Sequence, residues 1–374
     1  MKKVLFVATV DSHIRHFHIP YLKLLKDCGY EVHVATNGDE VFPYCDKKIK
    51  FQIERSPYSF KNVKAIQELK KIINKENYDI IHCHTPMGSV VTRLASKIAR
   101  KNGTRVIYTA HGFHFYKGAP LLNWLLFYPV EKYLAKFTDT IITINKEDYN
   151  LAKKKFSKRC KDIKYIPGVG IDAGKFSFKM SEKEKIKLKN SLGLQKKDFV
   201  LIFPAELNKN KNQVFLINAM KKIIQKDDSI HLLLPGEDSY SEYYHRLVQK
   251  IGIKNNVHFL GYRKDIPQLL SISDIAVSSS LREGLPVNVI ESLTVGLPVI
   301  ALNCRGMKDI IVNNENGYIV ENENEFIDKL NYLRKHPKKT EYMSNKNKEK
   351  AKKYQLQNIE KMMRKVYLKN SDEK

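Results

Sequence analysis

Two glutamates, Glu283 and Glu291, are separated by seven residues that change from a loop to an apolar helix. Pro286 suits the start of that helix because first-turn N–H groups have no partner within the helix, and Gly296 suits a left-handed stop. Free N–H groups at the positive end of a helix dipole bind phosphate, and carboxylates accept hydrogen bonds from sugar hydroxyls. The stretch therefore predicts a nucleotide-sugar site. The alternative is a strand-to-helix turn in which Glu283 is solvated and Glu291 only complements the dipole.

The elements that position this loop follow a strand–helix rhythm in both halves of the chain. The predicted strands are 4–9, 31–35, 50–53, 80–84, 105–109, 140–144, 199–204, 230–235, 257–260, 275–278, 298–302 and 317–320. The predicted helices include 18–27, 62–73, 88–101, 121–135, 213–224, 240–251 and 266–271. Helical spacers of this length predict an α/β fold with parallel, doubly wound sheets in two Rossmann-like domains.

Polar residues stand where three strands of the first half end, and ligands of such sheets bind at those ends. His13 follows the first strand, His84 closes the strand 80–84, and His111 follows the strand 105–109. His111 is the best candidate for a ligand contact. The other histidines are explained equally well as core or rim side chains. No trio of metal ligands is visible in the sequence pattern, so no metal is predicted.

The segment Glu283-Gly284-Leu285-Pro286-Val287-Asn288-Val289-Ile290-Glu291 resembles the signature of family 4 retaining glycosyltransferases. The resemblance implies the GT-B fold, in which two Rossmann-like domains face a central cleft. It also implies transfer of a sugar from a nucleotide, with UDP expected, and retention of the anomeric configuration.

The resemblance further implies roles for individual residues. Glu283 would hold sugar hydroxyls, Lys211 the leaving diphosphate, and His111 the sugar near the reacting carbon. Glu291 would bind the ribose, and the other expected donor contacts are Gly284, Leu285, Pro286, Asn288, Val289, Asn208, Gly236, Tyr262 and Arg263. No cofactor or metal is expected, because a lysine and a helix dipole can neutralise the diphosphate and no Asp-x-Asp motif is present.

Two places depart from the family pattern. The family usually has a Gly-Gly loop after the first strand, whereas this chain has residues 10–15, so His13 and Arg15, together with His84, are expected on the acceptor side. The family usually has an arginine five residues before the phosphate-binding lysine, whereas this chain has Glu206. Lys209 can replace the missing cation, or it is an ordinary surface lysine.

The net charge of +26, from 66 Lys plus Arg against 40 Asp plus Glu, favours anionic partners. An AT-rich genome that enriches lysine is the alternative explanation. No aromatic–basic platform or recognition helix is evident, so specific nucleic-acid binding is not expected. Five scattered cysteines suggest a reducing compartment. We therefore expect a cytoplasmic protein in peripheral contact with the anionic inner face of the plasma membrane.

Residues 113–133 are the most apolar and aromatic part of the chain and contain its only tryptophan. A transmembrane helix needs about 20 apolar residues, and Pro129 and Glu131 interrupt the run before that length. Burial between the sheet and its neighbours is favoured. A position in a bilayer interface, where Trp, Tyr and Lys are common, is the alternative.

Three segments are predicted: an acceptor-binding domain at 1–172, a nucleotide-sugar-binding domain at 173–350, and a helix at 351–374 that packs back on the first domain. The helical stripe consists of Tyr354, Ile359, Met362, Met363, Val366 and Tyr367. The chain resembles bacterial enzymes that build capsule or exopolysaccharide, which implies a glycan or polyprenyl-diphosphate-linked acceptor. A nucleotide-sugar 2-epimerase of the same fold and a non-catalytic nucleotide-sugar binding protein are the alternatives.

Overall fold

The structure contains two parallel β-sheets. Their central strands are continuous apolar runs, as expected for sheets that are covered on both faces. The computed structural model describes residues 1–177, 179–240 and 242–368. The chain divides into unit 1, Met1–Gly170 with Gln357–Lys374, and unit 2, Ile171–Leu356.

Unit 1 contains a seven-stranded sheet with the order β3-β2-β1-β4-β5-β6-β7. Its elements are β1 (Lys3–Val10), α1 (Asp11–Phe17), α2 (Ile19–Asp27), β2 (Glu31–Asn37), β3 (Lys47–Lys50), α3 (Lys61–Glu76), β4 (Ile80–Cys83), α4 (Pro86–Ala95), α5 (Lys97–Lys101), β5 (Arg105–Ala110), α6 (Leu121–Leu134), β6 (Thr140–Thr143), α7 (Lys146–Phe156) and β7 (Asp162–Tyr165). The strand order reverses between β1 and β4, which places a ligand-binding crevice at the carboxyl ends of these two strands.

Three local predictions for unit 1 were wrong or incomplete. The strand expected at 50–53 is β3, which lies three residues earlier and buries only Ile49 among lysines. The segment after β1, expected as a loop, is helix α1. Helix α7 was not predicted, because its sequence is mostly charged. Its start is fixed by Asn145, whose side chain accepts a hydrogen bond from the N–H of Asp148.

Unit 2 contains a six-stranded sheet with the order β10-β9-β8-β11-β12-β13. Its elements are α8 (Glu182–Ser191), β8 (Phe199–Ile202), α9 (Gln213–Ile224), β9 (Ile230–Pro235), α10 (Tyr243–Lys250), β10 (Val257–Gly261), α11 (Ile266–Ser271), β11 (Ile275–Ser278), α12 (Val287–Val295), β12 (Val299–Leu302), α13 (Met307–Ile310), β13 (Gly317–Val320), α14 (Glu323–Lys335) and α15 (Pro337–Ala351). Here the order reverses between β8 and β11. The loops after these two strands therefore flank the predicted ligand crevice.

The last helix, α16 (Leu356–Tyr367), packs on the core of unit 1. Its buried residues are Ile359, Met363, Val366 and Tyr367, four of the predicted stripe, whereas Met362 is exposed. The Arg105 side chain donates hydrogen bonds to the carbonyl oxygens of Val366 and Tyr367, at 2.7 and 2.9 Å. A cation that binds the last carbonyls stabilises a helix end.

The apolar stretch 113–133, expected to be buried, is buried only in part: Phe113 and Phe115 are buried, whereas one side of helix α6 is exposed. Trp124, Phe127 and Tyr128 pack against the core of unit 1. The exposed large side chains of the same helix are Leu121, Leu122, Leu125, Leu126, Val130 and Tyr133. Within the described ranges, no helix combines the length and the apolar character that crossing a bilayer demands.

Candidate active site

The loops after β8 and β11 are joined by hydrogen bonds at the crevice of unit 2. The N–H of Leu281 donates to the carbonyl oxygen of Asn210 at 2.8 Å, and the Asn210 side chain donates to that of Arg282 at 3.0 Å. The hydroxyl of Ser279 donates to the carbonyl oxygen of Lys211 at 2.7 Å. The two loops are therefore joined into one surface, which we call the platform.

This platform brings Lys211 and Glu283 together, although they are 72 residues apart in sequence. Lys211 Nζ lies 2.6 Å from Glu283 Oε1, and the two side chains are 22% and 12% exposed. The amide oxygen of Asn208, a predicted donor contact, accepts a hydrogen bond from the N–H of Lys211 at 3.0 Å. Asn208 thus orders the turn that presents the lysine.

Helix α12 starts directly after the predicted loop. Its N-cap is Pro286, and Gly296 ends it with a φ of 90°. The Asn288 side chain donates to the carbonyl oxygen of Pro204 at 2.8 Å, which ties the first turn of α12 to the end of β8. Leu285 and Val289 are buried. The helix therefore points its positive end at the platform, as the sequence predicted.

Arg305 is a buried cation of this site that sequence reasoning missed. Its Nε lies 3.5 Å from the carbonyl oxygen of Glu283. A Cβ atom on the next residue, Gly306, would lie 2.8 Å from the carbonyl oxygen of Gly284, so the two loops pass at backbone contact distance. One sequence signal could have identified Arg305. It lies just beyond the carboxyl end of β12, and the other site residues also follow the carboxyl ends of strands in this sheet.

Three buried polar atoms near the platform have no hydrogen-bond partner among the described residues: Ser278 Oγ, Ser280 Oγ and Gln213 Oε1. Buried polar groups are nearly always paired, and leaving one unpaired costs about 1–3 kcal/mol. Ligand hydroxyl or phosphate groups would satisfy them. The run of serines at 278–280, directly at the end of β11, was the sequence signal for this feature.

Glu291 lies on α12. Burial raises the pKa of its carboxyl group to about 7, and Lys175 acts in the opposite direction. A carboxyl group with a pKa near 7 loses its proton within the physiological pH range, so it changes from a hydrogen-bond donor to an acceptor only.

The other predicted donor residues lie at the ends of β9 and β10. A Cβ atom on Gly236 would lie 1.9 Å from the carbonyl oxygen of Ala205, so only glycine fits there. Tyr262 is exposed. Arg263 is engaged, because its guanidinium binds the Asp265 carboxylate at 2.7 and 2.5 Å.

Glu206 stands where the family usually has an arginine, and Lys209 was the residue that could replace that cation. Both side chains have partners in unit 2. Glu206 is exposed and accepts a hydrogen bond from the Ser239 hydroxyl. Lys209 Nζ lies 5.5 Å from the centroid of the Tyr240 ring. Neither contact supplies the cation that the family pattern leads us to expect.

The crevice of unit 1 gathers the predicted histidines. His111 Nε2 lies 3.3 Å from His13 Nε2 and 3.5 Å from His84 Nδ1. His18, which was not predicted, packs against His84 with 3.8 Å between the ring centroids. Burial lowers the pKa of His111 to about 4 and holds the pKa values of the other three well below the usual range. All four rings are therefore neutral at pH 7. Arg15 lies elsewhere on α1, partly exposed and 3.4 Å from Glu40.

The comparisons with known proteins agree with the predicted family and fold. The family model described as "Glycosyl transferases group 1" matches residues 184–350, and that described as "Glycosyl transferase 4-like" matches residues 3–145. The chain is 46% identical over 320 residues to the putative glycosyltransferase EpsD of Bacillus subtilis, covering 86% of this chain and 84% of the relative. It is 30% identical over 267 residues to an Escherichia coli UDP-Gal:alpha-D-GlcNAc-diphosphoundecaprenol alpha-1,3-galactosyltransferase, covering 70% and 67%.

A solved structure also matches. The structure of Anabaena HepE in complex with UDP and glucose has a TM-score of 0.78 at 22% identity, covering 99% of this chain and all of the other. The chain belongs to the family 4 glycosyltransferases, and its two units are the Rossmann-like domains of the GT-B fold. The predicted family and fold class are thus confirmed.

Proposed function

We propose that the protein transfers a sugar from a UDP-sugar to a glycan or polyprenyl-diphosphate-linked acceptor, with retention of configuration, in the synthesis of a bacterial surface polysaccharide. The observation that carries this proposal is the Lys211–Glu283 pair, held at 2.6 Å on joined loops beside the start of α12. The pair offers a cation for a diphosphate and a carboxylate for sugar hydroxyls. The E. coli relative, whose name gives a UDP-sugar donor and a diphosphoundecaprenol acceptor, supports the substrate classes.

In the proposed mechanism the acceptor hydroxyl attacks the anomeric carbon on the face that the diphosphate leaves. The new C–O bond forms as the bond to the diphosphate breaks, and the hydroxyl proton passes to the departing diphosphate. Lys211 and the N-terminus of α12 stabilise the charge that develops on the leaving group, so this step needs no metal at the diphosphate. Glu283 accepts hydrogen bonds from the sugar, and Glu291 accepts them from the ribose.

His111 is proposed to contact the donor sugar, as the resemblance implies. Its Nε2 atom is occupied by His13 and His84. The contact would therefore use the other side of the ring.

Release of free UDP or GDP from a panel of nucleotide sugars, with and without bacterial membrane lipid extract, tests the proposed function. We expect release from one donor that depends on the extract and is lost in Glu283→Ala and Lys211→Ala. Release that ignores the extract would instead indicate an epimerase or hydrolase. Binding of the donor without release in any condition would indicate a non-catalytic nucleotide-sugar binding protein.

Nucleotide affinity is expected to increase as the pH rises through about 7, because only the Glu291 carboxylate accepts hydrogen bonds from both ribose hydroxyls. The effect on stability has the opposite sign. The folded pKa lies above the ordinary 4.5, so the contribution of Glu291 to stability is full below pH 4.5 and lost as pH rises through about 7. Calorimetric titration with UDP at about pH 6 and 8 measures the first effect. Glu291→Gln should make the affinity independent of pH in this window, and a retained slope would contradict the assignment.

We further propose that α6 docks unit 1 on an anionic bilayer surface. Its exposed leucines include Leu121 and Leu125. An apolar groove of about 310 Å³ lies between α4 and the second half of α6. Lys132 lies on α6 and Lys136 in the turn directly after it, and both carry the positive charge that anionic lipid attracts. This arrangement is typical of interfacial helices rather than of spanning ones.

The double substitution Leu121→Ser/Leu125→Ser is expected to weaken binding to phosphatidylglycerol-containing vesicles at least about 10-fold, because each buried leucine contributes about 1.5–3 kcal/mol. Vesicle sedimentation measures this. Phe60→Ser, an 89% exposed residue at the start of α3, is the matched control and should bind as the wild type does. If both variants bind the vesicles equally well, α6 is not part of the docking surface. Binding to purely zwitterionic vesicles should be weaker, and added salt should reduce the difference.

A further inference from the structure

The carboxyl ends of β1, β4 and β5 bring four imidazoles to one point of unit 1. His13 lies on α1, His18 between α1 and α2, His84 after β4 and His111 after β5. One ring nitrogen from each lies within 4.8 Å of those of the others. We call this group the histidine cluster. Apart from the sugar contact proposed for His111, it has no part in the donor chemistry proposed for unit 2.

The spacing within the histidine cluster fits metal coordination better than hydrogen bonding. His111 Nε2 lies 3.3 Å from His13 Nε2 and 3.5 Å from His84 Nδ1. A ring nitrogen of a neutral imidazole can donate or accept one hydrogen bond, so it cannot satisfy two others. Nitrogens around tetrahedral Zn²⁺, bound at about 2.0–2.1 Å, lie about 3.4 Å apart.

The histidine cluster also contains buried nitrogens without partners among the described residues: both ring nitrogens of His18 and Nε2 of His84. The neighbouring His82 shows that this is not a general property of the region. His82 is equally buried, yet its Nδ1 pairs with the Tyr367 hydroxyl and its Nε2 with the Thr109 hydroxyl, both at 2.8 Å. The unpaired nitrogens belong to the cluster, where a cation would satisfy one nitrogen of each ring.

We propose that His13, His18, His84 and His111 bind a divalent transition metal, with Zn²⁺ preferred. Imidazole nitrogens suit Zn²⁺, Cu²⁺ and Ni²⁺, and four ligands without a carboxylate or thiolate suit the tetrahedral geometry of zinc. Four protein ligands close the coordination shell. The metal therefore fixes the loops after β1, β4 and β5 to one another and stabilises unit 1, and it leaves the diphosphate chemistry of unit 2 to Lys211. No spacing of these four histidines in the sequence indicates a metal site.

Metal binding by the full chain without an affinity tag, stripped with a chelator, tests the proposal independently of any transferase activity. We expect about one Zn²⁺ per chain in competition with a chromophoric chelator, and a higher thermal midpoint with the metal than without it. Changing a residue that only orients a metal ligand costs 10–100-fold in affinity, so losing a ligand in His13→Gln or His84→Gln should cost about 100-fold or more. His16→Gln, an exposed histidine on the same helix α1, is the matched control and should bind as the wild type does.

Cobalt substitution identifies the ligands. Tetrahedral imidazole coordination gives visible d–d bands without the near-ultraviolet charge-transfer band of a thiolate ligand, although the chain has five cysteines. The proposal is overturned if the wild type retains no metal, if a thiolate band appears, or if His16→Gln weakens binding as much as His13→Gln. His13 is only partly buried, so its variant decides the question if His84→Gln fails to fold.

Discussion

Replacement of Lys211 by alanine is expected to lower kcat/KM for the nucleotide-sugar donor by about 10³-fold. A single preorganised group that stabilises developing negative charge contributes about 10²–10³-fold to kcat. The loss in Lys211→Ala should reach the upper end of this range. Glu283, 2.6 Å away in the wild type, would then remain as an unpaired carboxylate beside the incoming diphosphate.

The pairing makes a second, sharper expectation possible. In Lys211→Ala/Glu283→Gln the repulsive carboxylate is absent, so the double variant should lose less than the product of the two single losses. Steady-state release of the nucleotide gives kcat/KM for all variants. Strict multiplication of the single effects would show that the two side chains do not act on the same group of the donor.

Lys209→Ala is the matched control for Lys211→Ala. Lys209 lies two residues earlier, and its ammonium group lies against the Tyr240 ring. We expect kcat/KM within about twofold of the wild type, since exposed charges contribute little. A large loss in Lys209→Ala would instead show that this lysine replaces the arginine expected at the position of Glu206. Lys211→Arg, which keeps the charge but changes its geometry, should fall between the wild type and Lys211→Ala.

The fold could be predicted from the sequence because its signals are local. The strands of parallel sheets are covered on both faces and are therefore continuous apolar runs, as at β1 and β8. The sequence signals for helix α12 are equally local, because Pro286 marks its start and Gly296 its end. The segment between Glu283 and Glu291 could thus be placed at a strand end without any knowledge of its neighbours.

The contacts between these residues could not be predicted, because they depend on side-chain direction and on strands distant in sequence. Arg263 is one of the donor contacts predicted from the sequence, but in the structure its guanidinium binds Asp265. Arg305 comes from a different strand end and reaches the loop of Glu283. The histidine cluster depends on the positions of β1, β4 and β5, and no spacing rule relates residues 13, 84 and 111.

In helices α1 and α6, tertiary contacts determine features that the local sequence does not show: whether the segment is helical, and which side of the helix faces the core. The segment after β1 becomes a helix whose first residue, Asp11, accepts hydrogen bonds from the Thr36 hydroxyl and the N–H of Glu40. Helix α6 is apolar on several sides, so its composition does not show which side faces the core. The buried ion pair between Glu131 and Arg93 of α4 orients the helix, and its leucines remain exposed as a consequence.

This ion pair carries the largest stability effect that we expect. The Arg93 side chain is fully buried, and its guanidinium binds both Glu131 oxygens at 2.9 and 3.1 Å and stacks 4.1 Å from the centroid of the Tyr108 ring. Arginine stays charged in the protein interior. Glu131→Ala would therefore leave an uncompensated buried cation and should lower the free energy of unfolding by about 3–5 kcal/mol.

Urea denaturation monitored through Trp124, which lies on the same helix, follows this loss in unit 1. Asp27→Asn is the matched control, because it removes the exposed i,i+4 pair between Lys23 and Asp27 and should leave the midpoint unchanged. Arg93→Met/Glu131→Leu removes both charges and should recover most of the loss, since an apolar replacement of a buried ion pair is often neutral. A Glu131→Ala variant as stable as Asp27→Asn would mean that water reaches Arg93. The orientation of α6, and with it the exposed leucine face proposed to dock on the bilayer, would then depend on aromatic packing alone.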